Sequence, residues 1–133
     1  MLAHLLLLAF LLPAQTTAIS AALQKLNGDW SVDLRPSSTA PAHPMPMHLD
    51  IGAGGVITGM FYNGPIPKGL ASDVKGRQCF AFTTADLSGE YHTSGCLTPS
   101  DTIEGQTWSE GRKFLLPWVA TRAIAAQAPG THP

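Results

Sequence analysis

The stretch Cys79–Cys96 constrains this chain more than any other. It holds the only two cysteines, and two β-rich runs flank Asp86-Leu87-Ser88-Gly89, a turn composition that ends on glycine. Folding the runs about that turn puts Phe80 opposite Gly95, Phe82 opposite Thr93 and Thr84 opposite Tyr91. Cys79 then lands opposite Cys96, and directly opposed strand residues are close enough to bridge. A bridged hairpin implies a sheet, a register and an oxidising compartment. The competing reading is that both cysteines are small strand residues that happen to align. Alternation also divides the hairpin into two faces. Cys79, His92, Ser94 and Cys96 take the outer one, and Phe80, Phe82, Thr84, Tyr91 and Thr93 the inner.

The amino end has a different pattern. Leu5 to Leu12 is an unbroken apolar run closed by Pro13, the h-region of a secretory leader and too short to remain as a membrane anchor. Cleavage is expected after Ala18, with Ala21 and Ala22 as alternatives. This divides the chain into a signal peptide (1–18), a lead-in of weak helical character (19–27), a β domain (28–122) and a disordered tail (123–133). No later run is long and apolar enough to cross a membrane, so a secreted or periplasmic protein is expected. The net charge is −1 and the eight Lys and Arg residues are scattered. A nucleic-acid groove needs a basic stripe, which excludes that class of partner.

From Gly28 onward strands dominate. Residues 28–34 alternate, with Trp30, Val32 and Leu34 on one face. Residues 47–51 and 56–62 form a hairpin through Gly52-Ala-Gly-Gly55. A weak strand surrounds Gly69-Leu70-Ala71, and two further strands, 101–109 and 113–122, follow the cysteine hairpin. Residues 35–46 read as a connection whose prolines argue against a central strand. About eight short strands with turn signals roughly every ten residues, and no internal helix, predict an all-β fold. Short hairpin connections favour a single antiparallel up-and-down β-barrel, whose closure removes exposed edges.

Gly28-Asp-Trp30, Leu49-Asp-Ile-Gly-Ala-Gly-Gly-Val-Ile-Thr-Gly-Met-Phe61, Phe80-Ala-Phe-Thr83, Ser94-Gly-Cys96 and Trp118-Val-Ala-Thr-Arg122 together resemble the strand motifs of avidin-like barrels. The Gly-x-Trp start is also similar to that of lipocalins, in which a basic residue of a late strand covers the tryptophan. That resemblance implies that Arg122 stacks on Trp30. The pattern resembles small secreted bacterial proteins of unknown function as well. The avidin likeness does not extend to biotin. The family's first-strand asparagine falls at Val32, its third-strand tyrosine at Phe61 and its fifth-strand tryptophan near Asp86. A sixth-strand polar-and-Trp pair falls at Tyr91 and Thr93. Each lost polar partner in a buried site costs about 1–3 kcal/mol.

The inward face set by parity is Trp30, Val32, Leu34, Ile57, Phe61, Phe80, Phe82, Thr84, Tyr91, Thr93 and Trp108. Within it, Trp30, Phe61, Phe82, Thr84, Tyr91, Thr93 and Trp108 are the candidate ligand-binding residues. A barrel of this size either fills with side chains or holds one small ligand. The residues therefore allow an exported protein binding a small apolar or aromatic ligand, or a structural or protein-interaction module with a filled core. His43, Met45, Met47 and His48 offer imidazole and thioether groups suited to Cu(I), although extended Pro-Met segments also simply cover barrel ends. Asp86, Ser88 and His92 cluster near the hairpin tip without a nucleophile elbow or an oxyanion-forming helix terminus. No cofactor-binding pattern is present, and no enzymatic activity is expected. The residues leave oligomeric state open.

Overall fold

The computed structural model describes residue 11 and residues 19–124. The proposed leader (1–18), apart from residue 11, and nearly all of the proposed tail lie outside the described residues. Nine strands follow one 3-10 turn, Leu23–Leu26, in the lead-in. They are β1 (Gly28–Asp33), β2 (Pro44–Ile51), β3 (Ile57–Phe61), β4 (Gly64–Pro65), β5 (Lys68–Val74), β6 (Arg77–Asp86), β7 (Gly89–Leu97), β8 (Ile103–Ser109) and β9 (Phe114–Arg122). All pair antiparallel in one sheet of order β4-β3-β2-β1-β9-β8-β7-β6-β5. The first long strand meets the last, as an up-and-down barrel requires.

The cysteine hairpin has the expected register throughout. Phe80 pairs with Gly95, Phe82 with Thr93, Thr84 with Tyr91, and Cys79 with Cys96, to which it is disulfide-bonded. The ladder continues to Asp86 opposite Gly89, so Leu87 and Ser88 alone make the turn. Asp86 Oδ1 accepts the Ser88 N–H at 2.7 Å, the local side-chain bond that favours aspartate in such turns.

Two features depart from expectation. The sheet curls through 274° rather than a full turn. The gap lies between β3 and β5, where one bridge, Val56 opposite Leu70, joins the strands. Pro65 and Pro67 lack the N–H that a continuous ladder needs, and Tyr62 turns the chain at φ 61°. Gly55, at φ 80°, makes the seam's close approach possible, because a Cβ there would sit 2.2 Å from the Ala71 carbonyl oxygen. The second departure is in β2, which includes Pro44 and Pro46 although it lies between β1 and β3. Its ladder with β3 begins only at Met47, so Pro44 sits where β2 is locally an edge, and Pro46 meets the β3 side through its carbonyl, which accepts the Tyr62 N–H at 3.0 Å.

The connection between β1 and β2 is organised by one carboxylate. Asp33 accepts the Arg35 Nε–H at 2.7 Å, the Arg35 backbone N–H at 3.1 Å and the His43 backbone N–H at 3.0 Å. The Arg35 side chain first, and the His43 amide second, hold this carboxyl down at about 2.

At the base the lead-in closes the barrel. Leu23 and Leu26 join the core beneath Trp30, whose Nε1–H donates to the Leu26 carbonyl at 2.9 Å. Arg122 covers the indole, its guanidinium carbon 3.9 Å from the ring centroid. The same guanidinium donates to the Asn27 carbonyl at 2.9 Å, to the Lys25 carbonyl and to Asp101 at 3.2 and 3.3 Å. It thereby satisfies carbonyls that the short 3-10 turn leaves unpaired.

Candidate functional site

The interior is built of rows that run across β6, β7, β8 and β9 from the open end toward the base. Thr84, Tyr91, Ser109 and Phe114 form the outermost row. Phe82, Thr93, Thr107 and Leu116 form the next, followed by Phe80, Gly95, Gly105 and Trp118. Two glycines in the third row make room for large rings. A Cβ on Gly105 would lie 2.4 Å from the Trp118 ring, so the indole lies directly across the glycine. Phe82 then meets Phe80 at 5.7 Å and Phe61 at 5.5 Å, and Trp118 lies 6.4 Å from Phe61. Trp30, Phe61, Phe80, Phe82 and Trp118 are all buried. Protein side chains occupy these rows.

Three of the polar groups inside are partnered to one another. Trp118 Nε1–H donates to Thr107 Oγ1 at 3.0 Å, and Thr107 and Thr93 hydroxyls meet at 3.1 Å. Among the described residues no fully enclosed side-chain nitrogen or oxygen lacks a partner. Thr93 was expected as a handle for a ligand, and here its hydroxyl pairs with another side chain. The participation of Thr107, Ser109 and Trp118 in the inner rows was not anticipated. At the open end Tyr91 is half-buried, donating its hydroxyl to Asp86 at 2.9 Å and packing 6.2 Å from Phe114. Arg112 lies over the Phe114 ring at 5.6 Å.

The structure thus brings Phe61, Phe82, Thr84, Tyr91 and Thr93 to the inner face, and Trp30 to the base. Trp108 is a correction. It is 47% exposed on the outer wall and pairs across the ladder with His92 and Leu115. Strand alternation decides this: Ile103, Thr107 and Ser109 take the inner face of β8, so Trp108 points out. The signal was available in the sequence, because Ile103 and Trp108 are an odd number of residues apart and cannot share a face. Burial of Ile103 outweighed burial of the larger ring.

The soft metal-ligand set is not assembled. Met45 and Met47 do share the inner side of β2, but Met47 is 1% exposed within the core. His48 points outward, its Nδ1–H donating to Asp29 at 2.7 Å, and His43 is exposed in the chain before β2. No group of three or more His, Cys, Asp or Glu residues is placed to hold a metal among the described residues.

A concavity of about 470 Å³ lies on the outer wall across β5 to β8. Two ladder rows form it. Lys68, Thr83, His92 and Trp108 make one, and Leu70, Ala81, Ser94 and Gln106 the other. Ala81, Thr83 and Ser94 leave a floor, while the larger side chains of β5 and β8 and the His92 ring stand around it. A second hollow of about 330 Å³ adjoins it toward the disulfide and Glu104, sharing Ser94 and Gln106 with the first. His92 stacks on Trp108 with centroids 5.2 Å apart. It is held there by Thr83 at 3.4 Å and Glu90 at 3.6 Å. The Ser94 and Gln106 side chains make no hydrogen bond among the described residues.

Comparison with protein-family models, with curated proteins and with solved structures gives no match.

Proposed function

We propose that this is an exported, non-enzymatic binding module that recognises its target on the outside of the barrel, in the trough between β5 and β8. The interior acts as the scaffold that holds that wall in shape. The observation that carries this reading is the contrast between the two sides of one sheet. The inner rows are packed with rings, and the Thr93, Thr107 and Trp118 polar groups are joined to one another, whereas the outer wall presents an exposed tryptophan beside amide and hydroxyl groups with no side-chain partner among the described residues. Aromatic side chains with a polar handle are enriched where proteins meet ligands and partners. The apolar leader run at 5–12 and the Cys79–Cys96 disulfide support export. The Gly-x-Trp strand covered by a late arginine supports kinship with avidin-like and lipocalin-like barrels.

An apolar dye whose fluorescence rises on burial separates an inner site from an outer one. The filled interior is expected to give no saturable dye site sensitive to Phe82→Ala or Tyr91→Ala. A saturable wild-type site that is unchanged in Trp108→Ala and altered in Phe82→Ala would place recognition inside the barrel and overturn the proposal.

A further inference from the structure

We infer that the outer trough is a carbohydrate site, taking a neutral pyranose chain with one ring stacked on Trp108. This rests on the outer-wall reading above and names its ligand class. A pyranose presents two kinds of surface. Its axial C–H groups form an apolar, slightly positive face, and its hydroxyls form a rim that both donates and accepts hydrogen bonds. The negative face of an indole complements the first. Neutral side chains that donate and accept complement the second, because each hydroxyl stripped of water needs a new partner.

The trough supplies both in the right relation. Trp108 is 47% exposed at the rim of the concavity, and it is the only large aromatic among the residues lining the trough that projects from its outer wall. His92 packs against it at 5.2 Å, with Thr83 3.4 Å and Glu90 3.6 Å from the imidazole nitrogens. One ladder position along β8 from Trp108 on the same face stands Gln106, with a donor and an acceptor, and across from it Ser94. Neither side chain has a hydrogen-bond partner among the described residues, so each would exchange only water for a sugar hydroxyl. Ala81 and Ser94, beside Gln106 in the same row, are small and keep the floor there low.

The shape and charge of the trough favour a chain over a single ring. The first hollow, about 470 Å³, is shallow and open along its length. The second continues it past Gln106 to Glu104, giving a length along which successive rings could lie. Lys68 stands at one end and Glu104 at the other, without a cluster of either sign. A uronate or sulfated chain would need several cations, and a basic one several carboxylates. An extended peptide adding to the sheet would need an open strand edge. Here β6, β7 and β8 are each paired on both sides, and β5 ends the sheet, so a strand-adding peptide would dock along the seam edge of β5 and not across the face of the trough.

The test uses the exported chain and two neutral probes, cellohexaose and chitohexaose, titrated while following tryptophan fluorescence. Trp30 and Trp118 are buried, so the exposed Trp108 dominates any change on ligand contact. At least one probe is expected to bind saturably. Affinity should fall by about tenfold or more in Trp108→Ala and by several-fold in Gln106→Ala, as expected when an aromatic anchor and a polar contact are truncated. For the variants the readout is calorimetry, since Trp108→Ala removes the fluorophore. Both variants should retain the wild-type unfolding midpoint, which separates lost binding from lost fold. Absence of binding by both probes, or undiminished calorimetric binding in Trp108→Ala, would overturn the carbohydrate assignment. Neither result moves the dye experiment, which judges the outer-wall reading separately.

Discussion

The base of the barrel and the outer wall of β6 to β8 each centre on a tryptophan, and the two are held in opposite ways. Trp30 is 1% exposed, with its N–H donated to Leu26 and its face covered by Arg122. Trp108 is 47% exposed, and His92 is the aromatic neighbour stacked on it. Around Trp30 the surrounding hydrogen bonds tie the lead-in, the β8 entry and the end of β9 to one point. Around Trp108 the nearby amide and hydroxyl groups are left available. The difference separates a base knit together by hydrogen bonds and packing from an outer wall whose polar groups face solvent.

The largest way to break the comparison is to truncate both rings. Trp30→Ala should cost about 3–5 kcal/mol, because a large buried side chain is lost and the cavity cannot fully collapse. Trp108→Ala should stay within about 0.5 kcal/mol, as for surface positions away from caps and cores. Denaturant unfolding of the two variants measures both values. Equal losses would show that the outer wall contributes to stability as the base does.

A smaller effect sharpens the account of the base. Arg122→Ala should cost about 2 kcal/mol, combining the stacking on Trp30 with the bonds to the Asn27 and Lys25 carbonyls. Arg122→Lys should recover only part of this, since an ammonium cannot reach two carbonyls and a carboxylate from one plane while stacking on the ring. Full recovery in the lysine variant would reduce the residue's role to its charge.

The smallest expected effect is at the far end, where Asp33 holds the 34–43 connection. Its carboxyl titrates at about 2 against an ordinary 3.8, so its folded-state value is depressed. Its contribution is therefore present above pH 3.8 and is lost as the pH falls from there through about 2. Asp33→Asn should flatten that part of the acid-unfolding profile and leave the profile above it parallel to the wild type. Because the group is partly open to solvent, added salt should shrink the difference. An unchanged acid profile in the variant would remove Asp33 from the account.

Much of the molecule was legible in the chain. Cys79 to Cys96 contains its own turn, its alternation and its closing pair, so the register from Cys79–Cys96 to Thr84–Tyr91 follows from local rules. The covering of Trp30 by Arg122 was legible through a family likeness, although 92 residues separate the two. The candidate site was legible only in part. Phe61, Phe82 and Thr93 face inward as alternation demands, but whether they line a hollow or fill one depends on Gly95, Gly105 and the rings of neighbouring strands. The trough was not legible at all, because its floor and rims come from four strands between Lys68 and Trp108.

By itself the sequence determined most of the strands and the register of the cysteine hairpin, since each rests on side-chain alternation and turn chemistry within reach of the local chain. Only the tertiary structure decided that the sheet stops at 274° with its seam at Val56 and Leu70, and that the rings of Phe80, Phe82 and Trp118 fill the interior. It also decided that Trp108 stands outside. These outcomes depend on how rows from different strands compete for one enclosed volume, and a side chain's claim on that volume is settled by its neighbours across the sheet rather than along the chain.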